Sequence, residues 1–310
     1  MKQTRIITEG ALLLALTMVL AFLAVYIPIA GMLFLYLLAL PLTIYTYRYG
    51  VKPGALFLVG SAIVSFIIGS IYFLLPVLTF TLCGLVIGEL TRRKRTAIEV
   101  LIGGTLSFLF MLLLNYIFIV TVLDFDFMKE TTKWFDEAVQ QSEGMLQFSD
   151  EELANQTKLF EEMVRFLPKI VPSVLVFTAV ISTFIVQLLA KKILKRLGFE
   201  ATSFPPFSEW LFPKVLLWYY LIVSLIFYIG VSEGMWELAV LNLFIVLEVI
   251  MTVQGLSFIF FFTKWKGLSK AVPIVVTIFA FIVPFLLYLI RILGIIDLGF
   301  DLRQRLQERK

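Results

Sequence analysis

With 310 residues, 60% of them hydrophobic, and a mean hydropathy of +0.98, the chain holds far more apolar side chains than the roughly 45–50% of an ordinary soluble domain. Lipid is the solvent that accommodates such a surplus, so the sequence reads as an all-α integral membrane protein. The net charge is only +4, and the absence of histidine together with a single cysteine, Cys83, excludes histidine acid–base chemistry, histidine metal sites and an internal disulfide.

A membrane-crossing helix needs about 20 mostly apolar residues. Nine stretches qualify: 10–28, 31–47, 53–70, 72–90, 98–123, 169–190, 213–231, 238–263 and 271–293. The first is too long, and lacks the small-residue exit, of a cleaved secretory signal. The expected architecture has eight or nine transmembrane helices, with a six-helix unit over 1–123 and 169–196, C-terminal membrane helices over 213–293 and a polar tail over 294–310.

Lys and Arg collect in cytoplasmic loops. Placing the N-terminus inside puts 16 of the 26 basic residues there, including the Thr91-Arg-Arg-Lys-Arg95 run, which needs only anionic lipid and no nucleic acid. Arg303, Arg305, Arg309 and Lys310 are the misfit, because nine crossings place them outside. Either the rule is weakly broken or one of the last three stretches fails to cross, and Pro284 makes 271–293 the best re-entrant candidate. The expected setting is a bacterial cell membrane with a cytoplasmic N-terminus.

Residues 124–168 carry 11 of the 22 acidic residues against four basic ones, which places them outside. Ser149-Asp-Glu-Glu152 reads as a capping box. Leu153, Thr157, Phe160, Val164 and Leu167 follow at helical spacing, and Met128, Trp134, Phe135 and Val139 suggest a shorter helix before a break at Gly144. The segment is an amphipathic hairpin lying over the outer helix ends, or else a lid or partner-docking arm. Residues 197–212 form an aromatic and proline-rich inner linker that Pro205-Pro206 keeps from continuing as helix. Trp210, Lys214 and Trp218 are its headgroup anchors.

Helices in lipid associate where small residues let backbones approach. Ala11 and Ala15, the Ser61-Ser65-Gly69 row, Gly84 with Gly88, and Gly103 with Ser107 offer such faces. Glu248, eleven residues into the span 238–263, is the carboxylate at membrane depth and costs about 2.5–3.5 kcal/mol on insertion scales. It either serves a ligand or pairs structurally with a residue such as Arg291. Asn242 and Gln254 lie six residues to either side, a net rotation of about 240°, so the three do not form one stripe. In the outer half of the first six helices, Tyr26, Tyr36, Tyr72, Asn115 and Tyr116 are candidates to line a small-molecule pocket or, for the tyrosines, an interfacial belt. Catalytic and nucleotide-binding motifs are absent, so the expectation is a non-enzyme without cofactor or metal.

The stretch from Arg5 to Glu89 resembles the substrate-binding S-components of energy-coupling-factor vitamin transporters. The resemblance rests on Ala11-Leu-Leu-Leu-Ala15, the turn from Pro28 to Gly31, Leu40-Pro41-Leu42 and Tyr49-Gly-Val-Lys-Pro-Gly-Ala55. Across the whole chain the order of parts, with Phe207-Ser-Glu-Trp-Leu-Phe-Pro-Lys214, is similar to the YybS-like membrane proteins of Gram-positive bacteria. The resemblance implies a six-helix unit that binds a small molecule from outside. Ala11 and Ala15 would dock a transmembrane coupling subunit that recruits separate ATPases. The acidic insertion and the helices after residue 196 depart from that plan. A membrane scaffold or regulatory partner is the alternative, and a lipid-active enzyme the third reading.

Overall fold

The computed structural model describes residues 2–27, 29–124, 129–131, 133, 137, 150–232 and 234–308. The Ser149 cap, the short helix around Met128, Trp134, Phe135 and Val139, and the Gly144 break lie outside the described residues. Within them all regular structure is helical. Among the described residues, six helices are long and apolar enough to cross a bilayer: Gln3–Tyr26, Gly31–Tyr49, Val51–Arg92, Ala97–Val122, Lys158–Arg196 and Met235–Trp265. Packing divides the chain into two compact units, Met1–Glu161 with Val174–Ser203, and Glu162–Ser173 with Phe204–Lys310.

The first unit opens with α1 (Lys2–Tyr26) and turns through Ile29, which takes the left-handed conformation. The chain then folds back against α1 at Gly31, where a methyl group would stand 2.3 Å from the Ala24 carbonyl oxygen. Helices α2 (Gly31–Leu37) and α3 (Ala39–Tyr49) follow, and α3 ends at Gly50 with φ 87°. The next element, α4 (Val51–Arg92), has 42 residues and would be about 63 Å long if straight, twice the hydrocarbon thickness. It is broken at Gly69 and Ser70, and Ser70 has φ 57°.

Contacts with α3 show that the chain reverses at this break. Thr46 and Tyr45 meet Gly54 and Phe57 before it, whereas Ala39, Thr43 and Thr46 meet Gly84 and Gly88 after it. The first half of α4 therefore runs antiparallel to α3 and the second half parallel to it. The two expected stretches, 53–70 and 72–90, are thus two helices joined by a two-residue turn. Gly84 and Gly88 serve close packing, since methyl groups there would stand 2.2 and 2.6 Å from carbonyl oxygens of α3.

Helix α5 (Ala97–Val122) begins with a capping box in which Thr96 and Glu99 satisfy each other's backbone N–H groups. Helix α6 (Asp150–Arg196) contributes its C-terminal part, where Gln187 Nε2 donates to the Ala97 carbonyl at 2.9 Å. The middle of the unit is packed solid. Phe80 meets Tyr36 and Phe108 edge to face, and Met18, Phe73, Val77 and Cys83 fill the space around it. Over the described part of the acidic segment, Val164 is buried and Phe160 and Leu167 are half-buried, while Glu162, Met163, Arg165 and Phe166 are exposed, as the spacing predicts.

Basic residues gather at one end of this unit. Arg5 and Arg48 share Glu9, Arg92 and Arg93 share Glu89, Lys94 pairs with Glu200 at 2.7 Å, and the Arg48 guanidinium lies over Phe199. The Lys94 ammonium holds the exposed Glu200 carboxyl below its ordinary value. Loops that are distant in sequence thus share a cationic end, the arrangement that the charge count requires.

The second unit holds a short 3-10 turn (Phe207–Glu209), α7 (Val215–Ile229), α8 (Met235–Trp265), α9 (Ala271–Ile282), α10 (Pro284–Phe300) and α11 (Leu302–Gln307). Helices α8 and α10 run side by side in the same direction, with Glu248 level with Arg291, Met251 with Gly294, and Gln254 with Asp297. Helix α9 carries the chain back between them, and the reversal falls at Val283-Pro284. Both ends of the α9–α10 pair are therefore at the end of the unit that holds the linker. There Lys264 meets Glu209, Lys214 meets Asp301, and Arg303 Nη1 donates to the Ser208 carbonyl. This placement brings Arg303 to the same end of the unit as Lys214 and Lys264. Residues 294–300, read from the sequence as the start of the polar tail, continue α10, and Gly294, Asp297 and Leu298 are buried there.

Candidate functional site

The residues expected in the outer pocket stand apart. Tyr26 is 69% exposed and stacks on Phe22, Tyr72 is 76% exposed and Tyr116 48%. Asn115 donates to Thr79 Oγ1 at 2.9 Å, a link from α5 to α4. The space between these helices is taken by Phe73, Phe80 and Phe108, with Tyr36 packed edge to face on Phe80, while the rings of Tyr26, Tyr72 and Tyr116 lie outward, as an interfacial belt does.

A hollow of about 600 Å³ lies instead nearer the basic end, between α1 and the first half of α4. Gly10 lets Tyr45 pack closely against α1 there, since a methyl group at this position would stand 3.0 Å from the Tyr45 hydroxyl. Tyr45 forms the back wall, its ring against Phe57 and its hydroxyl donating to the Ile6 carbonyl at 3.2 Å. Ile7 and Leu56 form exposed apolar rims, and Gln3 and Pro53 border the mouth. Ala11 belongs to the wall, and Ala15, one turn further, is exposed on the same helix. Beside the hollow, Glu9 accepts from Arg5 at 2.9 Å, Arg48 at 3.0 Å and Tyr49 at 2.8 Å.

In the second unit, Asn242, Glu248 and Gln254 of α8 go to three different places. Glu248 pairs with Arg291 of α10, each side chain about one-fifth exposed. Asn242 inserts into α6 near Pro172: its Oδ1 accepts from the Ser173 N–H at 2.8 Å and its Nδ2 donates to the Lys169 carbonyl at 2.7 Å. An unbroken helix would join that N–H and that carbonyl directly. Gln254 donates to Asp297, which is fully buried, and accepts from the Phe212 N–H at 3.0 Å. Arg303 completes this cluster through Asp297, Ser208 and Ser257.

Asp297 and Arg303 escape a reading of the sequence because they fall in what looks like a polar tail. The available signal was a carboxylate isolated within Ile292-Leu-Gly-Ile-Ile-Asp297-Leu-Gly-Phe300, an apolar run. Replacing Asn242 with leucine leaves the Ser173 N–H and Lys169 carbonyl without their side-chain partner and should destabilise the protein by about 1–3 kcal/mol. An unfolding midpoint in detergent checks this, and an unchanged midpoint would show that α6 closes the gap itself.

A family described as "Predicted membrane protein (DUF2232)" matches residues 15–298. The chain is similar to "Uncharacterized protein YybS" of Bacillus subtilis (strain 168), 30% identical over 310 residues, covering 99% of this chain and 100% of that one. No solved structure matches.

Proposed function

The chain belongs to the DUF2232 family of predicted membrane proteins, and from that premise we propose that it is a binding subunit that takes an apolar or amphiphilic small molecule from the bilayer into the groove between α1 and α4. The observation that carries this reading is the hollow of about 600 Å³, within the roughly 300–1,000 Å³ of ordinary ligand sites. Its walls are apolar apart from the Tyr45 hydroxyl and the Gln3 amide, the composition that fixes a mostly greasy ligand in one orientation. The resemblance to S-components supports a carrier role, with a coupling subunit and separate ATPases as partners.

The topology that goes with this reading has eight crossings: α1, α2 with α3, the two halves of α4, then α5, α6, α7 and α8. The α9–α10 pair is re-entrant, and both termini are on the cytoplasmic side of a bacterial cell membrane. Charge supports it, because the Lys and Arg clusters then all fall inside.

The experiment is ligand-dependent thermal stabilisation of the purified protein. A panel of vitamins, nucleobases and lipids should contain a class that raises Tm, and Ala11→Phe, which fills the groove, should abolish the rise. A wild-type Tm unmoved by every member would overturn the reading.

The exposure of Ala15 beside Ala11 favours a second reading, docking of a partner helix on α1. Ala15→Cys should then crosslink to another polypeptide in native membranes, while Cys83, buried in the core, stays inert. Crosslinks confined to lipid would remove the docking reading.

A further inference from the structure

The buried cluster around Asp297 lies in the second unit and has no part in the groove. We propose that Asp297 Oδ1 is a proton-binding site, and that a proton there opens a clasp that otherwise fastens the linker and α11 to α8 and α10.

The clasp is built on one carboxylate. Asp297 is buried, and Gln254 Nε2 of α8 and Arg303 Nε of α11 both donate to the same oxygen, Oδ2, the second at 2.9 Å. Oδ1 is equally buried and has no hydrogen-bond partner among the described residues. A carboxylate spreads its charge over two oxygens, each able to accept more than one hydrogen bond, so half of this one goes unserved, an expensive state for a buried charged group. The donors around it are aimed elsewhere. Arg303 Nη1 donates to the Ser208 carbonyl at 3.0 Å and Nη2 to Ser257 Oγ at 3.1 Å, while Ser257 Oγ lies 2.8 Å from the Phe207 and Trp210 carbonyls. A proton taken from water fits an acceptor that no side chain serves: it adds to Oδ1, the carboxylate becomes a neutral acid, and no other bond changes.

The same contacts fix what that proton releases. The charged groups on the surrounding elements are already matched: Asp301, at the joint between α10 and α11, with Lys214 ahead of α7; Glu209 of the 3-10 turn with Lys264 of α8; and, six residues back along α8 and α10, Glu248 with Arg291. Arg305 of α11 is exposed. Arg303, whose side chain is only 11% exposed, therefore draws its counter-charge from Asp297; its other contacts are neutral, the last being the face of Phe261 at 5.3 Å. Protonating Asp297 leaves a buried guanidinium uncompensated, which is the costly arrangement. Helix α11 has six residues and is joined to α10 through Asp301, which takes the left-handed conformation with φ 51°. Its outward swing carries Arg303 to water and breaks the link to Ser208. The clasp is closed above the titration midpoint and opens as pH falls through it.

A spin label on Gln304→Cys, an exposed site of α11, follows this motion by electron paramagnetic resonance in the detergent-solubilised full-length protein, from about pH 8 to about pH 4. Cys83 is buried and stays unlabelled. The label should be ordered at the upper end and gain a mobile component on acidification, the ratio of the two changing about tenfold per pH unit, as one proton requires. Asp297→Asn, which keeps the shape and removes the charge, should be mobile throughout. Arg303→Gln, which leaves no charge to expel, should lose the pH dependence, and Asp301→Asn should keep it. Circular dichroism over the same range should show a constant helix signal.

A wild-type spectrum that does not change with pH would remove the proton site. A transition that survives in Asp297→Asn or Arg303→Gln, or vanishes in Asp301→Asn, would place the proton on another group and overturn the proposal; if Asp297→Asn does not fold, the other two variants decide. Loss of helix in step with the mobile component would mean acid unfolding in place of a clasp.

Discussion

Glu248→Ala should destabilise the second unit by about 3–5 kcal/mol, and Glu248→Leu combined with Arg291→Met should recover most of that loss. The sign of the difference follows from burial. Removing the carboxylate alone leaves the Arg291 guanidinium at membrane depth without its counter-charge, and Arg291 Nε is already buried without a hydrogen-bond partner. An uncompensated buried charge is the expensive outcome, whereas apolar replacement of both partners is often neutral or stabilising. A double-mutant cycle on unfolding free energies in detergent measures the coupling. A loss below about 0.5 kcal/mol for the single variant would show that water reaches the pair and that its depth in the membrane has been misread.

The crossing of α8 and α10 should be nearly as sensitive, for a steric reason. A methyl group at Gly294 would stand 2.1 Å from the Met251 carbonyl oxygen and 2.7 Å from the Gly255 nitrogen. These are backbone atoms on another helix, so no side chain can swing away and the helices must separate. Gly294→Ala should therefore cost about 3 kcal/mol, the upper end of ordinary overpacking. Gly299→Ala is the control, because its methyl group would meet only Leu217 at 3.5 Å, an ordinary contact, and the higher helix propensity of alanine should leave it neutral or stabilise it by up to about 1 kcal/mol. Equal effects from the two variants would mean that close approach at Gly294 does not set the cost.

The sequence carried much of the helical layout because that layout depends on local quantities. Apolar runs give the helices, and the separate stretches 53–70 and 72–90 are the two halves of α4, which break at Gly69 and Ser70. Pro284 marks the reversal before α10, and the rotation between Asn242, Glu248 and Gln254 sends each to its own partner. Pairing between helices is less legible. Whether Gln254 can reach Asp297 depends on the direction of α10, which depends on where residues 271–293 turn, and that is decided by packing. The groove was hidden for a related reason. Gly10 and Ala11 both look like residues chosen for close approach; Tyr45 does pack closely on Gly10, whereas the hollow stays open beside Ala11. The tyrosines at 26, 72 and 116 are equally compatible with inward and outward rings on composition alone; the structure turns them outward.

The grip of Asn242 on α6 bears on how the molecule can be dissected. Phe204 looks like the natural place to cut, yet the second unit also owns Glu162–Ser173. A fragment starting at 204 would leave the Asn242 Oδ1 without its Ser173 donor and the amide with only the Leu238 carbonyl of its own helix, and would strand Glu237 without Lys169. Working halves would have to overlap, with α6 supplied to both.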